Sequence, residues 1–149
     1  SYDGGVIYNL GKVTLTNTIF TDNIASNIGG AIYTEGALKA TSTQFNYNNA
    51  ASGGAIYYVL NPDIKASFAL TKDQFKGNVA RNENANAFGG AIYTESFITD
   101  SKSTFVSNSV TSSSDLTDEY VGNGGALYLN TPISPNSKTL NKFTSSTVT

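Results

Sequence analysis

The sequence predicts an all-β chain wound as a parallel β-helix, a solenoid of about five coils, on three observations. The first is a Gly-Gly pair followed by a small residue, an aliphatic residue and Tyr, beginning at Gly4, Gly29, Gly53, Gly89 and Gly124. The second is a Phe-x-x-Asn motif alternating with it, at Phe20, Phe45, Phe75 and Phe105, with a degenerate copy at Phe143. The third is spacing. From the first Gly to the next Phe is 16 residues in copies one, two and four, 22 in copy three and 19 in copy five. A unit of about 25 residues with no i, i+3, i+4, i+7 apolar stripe is too long for a hairpin and too short for a βαβ crossover. It fits one turn of a β-helix, whose strands pair with their counterparts in the next coil about 4.8 Å away.

Each element follows from alignment of the copies. Val13–Phe20 and Phe68–Phe75 alternate apolar and polar residues as strands do. Phe20, Phe45, Phe75, Phe105 and Phe143 are expected to form one aromatic stack, with Val13, Leu38, Phe68 and Ile98 as an inward apolar column seven residues earlier. Asn23, Asn48, Asn78 and Asn108 form a column suited to a coil corner, because Asn tolerates a left-handed turn and its amide can bond the amide one rung away. Ala25, Ala50, Ala80 and Val110 follow as a small apolar column. In the Gly motif, Ile7, Ile32, Ile56, Ile92 and Leu127 are read as inward. Tyr8, Tyr33, Tyr57, Tyr93 and Tyr128, next in sequence, therefore face outward. The Gly pairs belong at sharp corners or close backbone approaches.

Phe20-x-x-Asn23-x-Ala25-x-x-x-Gly29-Gly30-Ala31-Ile32-Tyr33 resembles the repeat of the chlamydial polymorphic outer-membrane proteins, with its Gly-Gly-Ala-Ile/Leu/Val and Phe-x-x-Asn signatures. The chain departs from it at Val6 in copy one and Ser146 in copy five. The resemblance implies an autotransporter passenger with a right-handed parallel β-helix and a role in adhesion to host cells. The general right-handedness of parallel crossovers agrees.

Composition narrows function further. The chain has 149 residues, no Cys, His, Met or Trp, 13% charged residues and a net charge of −2. Disulfides, thiolate nucleophiles, His triads and His or Cys metal sites are thereby excluded. The single arginine, Arg81, and the negative charge argue against nucleic acid as a partner. No apolar run reaches the roughly 18–20 residues of a membrane helix, and no direct membrane insertion by this segment is expected. Abundant Ser, Thr and Asn with few charges point to an extracellular, cell-surface location.

No catalytic, cofactor or metal site is therefore expected, and the partner is a host-cell or matrix surface ligand or copies of the chain stacked end to end. Candidate partner-binding residues are the Tyr column, Tyr8, Tyr33, Tyr57, Tyr93 and Tyr128, as an aromatic strip, and Arg81 with Glu83 in an insertion. Asp115, Asp118 and Glu119 are close enough to hold Ca²⁺ but read better as a solvated loop. Thr16, Thr41, Thr71 and Ser101 form a hydroxyl column interrupted on its face by Lys39, Ala69 and Asp73, which suits β-propensity better than ice binding. Asp100 breaks the apolar column of Leu15, Ala40 and Leu70 and is expected to be exposed or paired with Lys102. Joined end to end, the termini keep the repeat spacing, with Val148 in the Ala column, so the chain reads as one domain cut from a longer array. An end-to-end filament subunit is the second reading, and a carbohydrate-active enzyme the third.

Overall fold

The computed structural model describes residues 1–63, 66–112, 122–130, 142–144 and 147–149. Among them there is no helix. The strands lie in stacked parallel sheets, each coil contributing one strand to each face. The first sheet contains Ile7–Asn9, Ile32–Thr34, Ile56–Tyr58, Ile92–Thr94 and Leu127–Leu129. The second contains Lys12–Thr16, Ala37–Thr41, Phe68–Thr71, Ile98–Ser101 and Lys142–Thr144. The third contains Ile19–Thr21, Gln44–Asn46, Gln74–Lys76, Thr104–Val106 and Thr147–Val148. A shorter fourth sheet joins Asn49–Ala50, Val79–Asn82 and Ser109–Ser112, and Ala87–Phe88 pairs with Gly122–Asn123. This is a parallel β-helix whose sheets are stacked, not closed into a barrel.

Equivalent residues pair directly, so the sequence columns become physical ladders. Ile7, Ile32, Ile56, Ile92 and Leu127 are in register, as are Phe20, Phe45, Phe75 and Phe105. The Phe rings stack at 5.1, 4.7 and 4.8 Å and lie within 5° of parallel. Each buried ring contributes about 2–3 kcal/mol through apolar burial, and each stacked pair about 1 kcal/mol more. Leu38, Phe68 and Ile98 fill the next inward column.

The Gly-Gly-Ala signature has a separate cause at each position. Gly29 sits at φ +65°, where a Cβ is strained. A Cβ on Gly30 would strike the carbonyl oxygen of Gly54 and come within 2.7 Å of the Asn49 backbone. The Ala55 carbonyl then accepts two N–H bonds from the coil below, from Ala31 and Ile32, both at 2.9 Å. The Ala91 carbonyl does the same for Ala55 and Ile56.

The Asn column is a hydrogen-bond ladder. Asn23 Nδ2 donates to Asn48 Oδ1 at 2.7 Å, Asn48 to Asn78 at 2.9 Å and Asn78 to Asn108 at 2.8 Å. The amides of Asn48, Asn78 and Asn108 also donate back to the carbonyls of Phe20, Phe45 and Phe75 in the preceding coil, tying the corner to the Phe stack.

Four expectations are corrected. Val13–Phe20 is two strands meeting at a corner, because Asn17 is left-handed, as are Ser42, Lys72 and Lys102 in its column. The left-handed residue of the Asn corner is the one before each Asn: Asp22, Tyr47, Gly77 and Ser107. Phe143 leaves the Phe column and pairs with Asp100, while Val148 pairs with Phe105. Every coil keeps a five-residue step between these two columns, as in Leu15 to Phe20 and Asp100 to Phe105, and Phe143 to Val148 is that same step. Ser146 stands where the other copies have the Asn that would fix the alternative register. Val148 is therefore not in the Ala column, and the end-to-end match of the termini is out of register.

Candidate functional site

The interior is filled by the ladders, so the candidate sites lie on the outer faces. Alternation on the first sheet turns the Ile column inward and the Tyr column outward. The Tyr rings stack on one another: Tyr8 on Tyr33 at 4.6 Å, Tyr33 on Tyr57 at 6.2 Å, Tyr57 on Tyr93 at 4.2 Å and Tyr93 on Tyr128 at 5.5 Å. Tyr33 and Tyr93 are only 8% and 7% exposed, while Tyr8 is 56% exposed. Phe88 tilts against Tyr93 and Tyr128. Ring faces are thus occupied by neighbouring rings, and the column presents ring edges and hydroxyls.

Carboxylates and amides finish this face. Tyr33 Oη donates to Glu35 Oε1 at 2.7 Å and Tyr93 Oη to Glu95 Oε1 at 3.0 Å. Asn61 reaches down to Glu35, and Asn130 donates to Tyr93 Oη at 3.0 Å. Burial, reinforced by the bond to Glu35, pushes the Tyr33 phenol well above its usual range. Burial also raises Tyr57, helped by the neighbouring Tyr93, and it raises Tyr93. These phenols stay neutral near pH 7.

Arg81 and Glu83 meet in an exposed ion pair at 2.8 Å. Such a pair is worth little in stability. Asp115, Asp118 and Glu119 lie outside the described residues. Among the described residues no group of three acidic side chains is arranged to hold a metal ion.

The second and third sheets and the corner between them form a contrasting face. Its outward residues are mostly hydroxyls and amides, including Thr14, Thr16, Thr41, Thr71, Thr99, Ser101, Gln44 and Gln74. Lys12, Lys39, Lys72, Lys76 and Lys102 are exposed there. Asp73 and Asp100 are not surface groups, against expectation, and are 1% and 0% exposed. Asp73 falls at the inward-turned corner position of Thr43 and Ser103, where it accepts the N–H groups of Thr43 at 2.7 Å and Thr71 at 2.9 Å. Desolvation raises its carboxyl to about 6 against these two bonds, with the nearby Asp100 adding to the rise. Asp100 points inward because it occupies the Leu15, Ala40 and Leu70 column, the one sequence signal that marked it.

A model of the Chlamydia polymorphic membrane protein repeat matches residues 17–35 and 74–95. No curated protein and no solved structure matches the chain. The first matched stretch runs from the Asn17 corner through Phe20, Asn23 and the Gly29-Gly30 pair. The second runs from Gln74 through Phe75, Asn78 and Gly89-Gly90 to Glu95. Both therefore contain the residues that make the Phe stack, the Asn ladder and the Gly corner, and at these two stretches the chain is similar to the Chlamydia polymorphic membrane protein repeat.

Proposed function

We propose that this chain is a non-catalytic module of an extracellular surface protein, an adhesin-like β-helix of the passenger type that binds a host-cell or matrix ligand. The observation that carries the reading is the pair of stretches similar to polymorphic membrane protein repeats, on a parallel β-helix whose interior is filled by side-chain ladders. Repeats stacked in this way form extended binding surfaces. A non-catalytic role is supported by the burial of Asp73 and Asp100, the acids an enzyme of this fold would need to present to a polysaccharide. Beads coated with the purified chain are expected to adhere to cultured epithelial cells, with soluble chain competing. Adhesion no greater than that of albumin-coated beads overturns the reading. Turnover of a polysaccharide, abolished by Asp100→Asn in a folded variant, would replace it with the enzyme.

One observation favours a second reading, end-to-end stacking of copies. The first coil exposes Tyr2, Val6, Tyr8, Leu10, Ile19 and Ile24. An uncovered parallel edge with apolar side chains invites another coil. Mass measured by light scattering at rising concentration is expected to show a ladder of oligomers if this reading holds. A constant monomer mass excludes it.

A further inference from the structure

We infer that the lysine- and hydroxyl-bearing face formed by the second and third sheets binds a sulfated polysaccharide. The inference rests on the surface-module reading and names the ligand class for it. The charge on the solenoid is segregated. Across Lys12–Thr21, Ala37–Asn46, Phe68–Lys76 and Ile98–Val106, every exposed charged side chain is a lysine: Lys12, Lys39, Lys72, Lys76 and Lys102. The two carboxylates in these stretches, Asp73 and Asp100, are turned into the core. Glu35, Glu83, Glu95 and Asp63 lie elsewhere, beside the Tyr column or in the insertions, and the exposed Asp22 stands at the rim of the face, at the corner just after Thr21 in the first coil and two coils from Lys72. None of the five lysines is ion-paired among the described residues.

Lys72 and Lys102 are placed at a conformational cost. They follow the paired residues Thr71 and Ser101, so they sit one rung apart, about 4.8 Å between backbones. Both are left-handed, at φ +55° and +63°, in a column where Asn17 also stands. A lysine in that conformation costs about 1–2 kcal/mol more than Gly, and Asn less. Two like charges one rung apart repel in addition. An anionic ligand relieves the repulsion.

Sulfate is the anion that fits. Each group offers several acceptor oxygens, and three of the lysines have a hydroxyl donor near them in the chain: Thr71 directly before Lys72, Ser101 directly before Lys102 and Thr41 two residues after Lys39. Gln44 and Gln74 supply amides for sugar hydroxyls on the adjoining sheet. The face has no arginine for bidentate phosphate readout, which disfavours nucleic acid.

The test is retention of the 149-residue chain on immobilised heparin, measured as affinity against salt. Because net charge is −2, attraction of the molecule as a whole cannot produce retention. Lys39→Gln with Lys72→Asn and Lys102→Asn is expected to weaken binding about tenfold, the sum of three partly screened contacts. Asn suits the left-handed positions, so an unchanged or higher melting temperature verifies the fold. Arg81→Gln, on another face, is expected to leave affinity unchanged. Equal binding by wild type and the triple variant, or equal binding to hyaluronan or DNA, overturns the inference. Cell adhesion without heparin binding overturns it and leaves the surface-module reading standing, whereas heparin binding without cell adhesion does the reverse.

Discussion

Lys72 and Lys102 show how single residues depart from what the coil would choose for itself. Their corner column is left-handed in every described coil, held by backbone bonds such as Lys72 N–H to the Ser101 carbonyl at 2.8 Å. Replacing Lys72 by Gly relieves the Cβ clash and is expected to stabilise the chain by about 1 kcal/mol in urea unfolding, less a few tenths for the added chain entropy. Asp73 gives a second measurable effect. Its carboxyl titrates near 6 in the fold and near 3.8 when unfolded, so the folded state favours the protonated form. Stability attributable to this group is therefore gained as pH falls through 6, and at pH 7 the fold carries a penalty approaching about 3 kcal/mol. The melting temperature should rise between pH 7.5 and pH 5, and Asp73→Ser, which can still accept the Thr43 N–H as Ser103 accepts that of Asp73, should flatten the rise. A wild-type curve parallel to that of the variant would show that Asp73 does not titrate in this range.

The ladders behave as units, and their substitutions carry larger effects. Asn48→Ala removes the acceptor used by Asn23 and the donor to Asn78 and the Phe20 carbonyl in a fully buried position. A loss of about 2–4 kcal/mol in denaturant titration is expected. Gly30→Ala should cost at least as much, because its Cβ meets backbone on two sides and no side chain can move aside. These ladders were legible in the sequence because each column repeats one residue type at nearly constant spacing. Tyr33 and Tyr93 were legible only as outward, since their surroundings include Glu35 and Glu95, which recur in these two copies alone, and Asn130 and Phe88, which stand in single copies. Phe143 misled for a related reason. Its type matched the Phe column, but register follows the five-residue step between strands, and a copy without its Asn loses the mark that fixes that step. Asp100 was visible as an apolar-column outlier, yet its burial required knowing that the column holds its direction even when the residue does not suit it.

Across the molecule, each coil is stabilised chiefly by the coils above and below it. The third coil, with Phe75, Leu70 and Ile56 fully buried, has neighbours on both sides, whereas the first coil leaves Ile19, Ile24 and Val6 exposed. Amide hydrogen exchange should therefore be slower in the third coil than in the first. Uniform protection along the chain would mean that the coils open only together.

The Asn ladder has a direction. The amide-to-amide bonds run one way, from Asn23 toward Asn108, whereas the bonds to the Phe carbonyls run back to the coil before and the inter-coil N–H groups of the parallel sheets point both ways. The edge of the first coil thus offers N–H and C=O groups alike, and its backbone could accept a second copy either nose to tail, in parallel, or about a two-fold axis, in antiparallel. Only the nose-to-tail arrangement carries the one-way Asn-to-Asn bonds on into the next copy, whereas a two-fold pair reverses their direction at the junction.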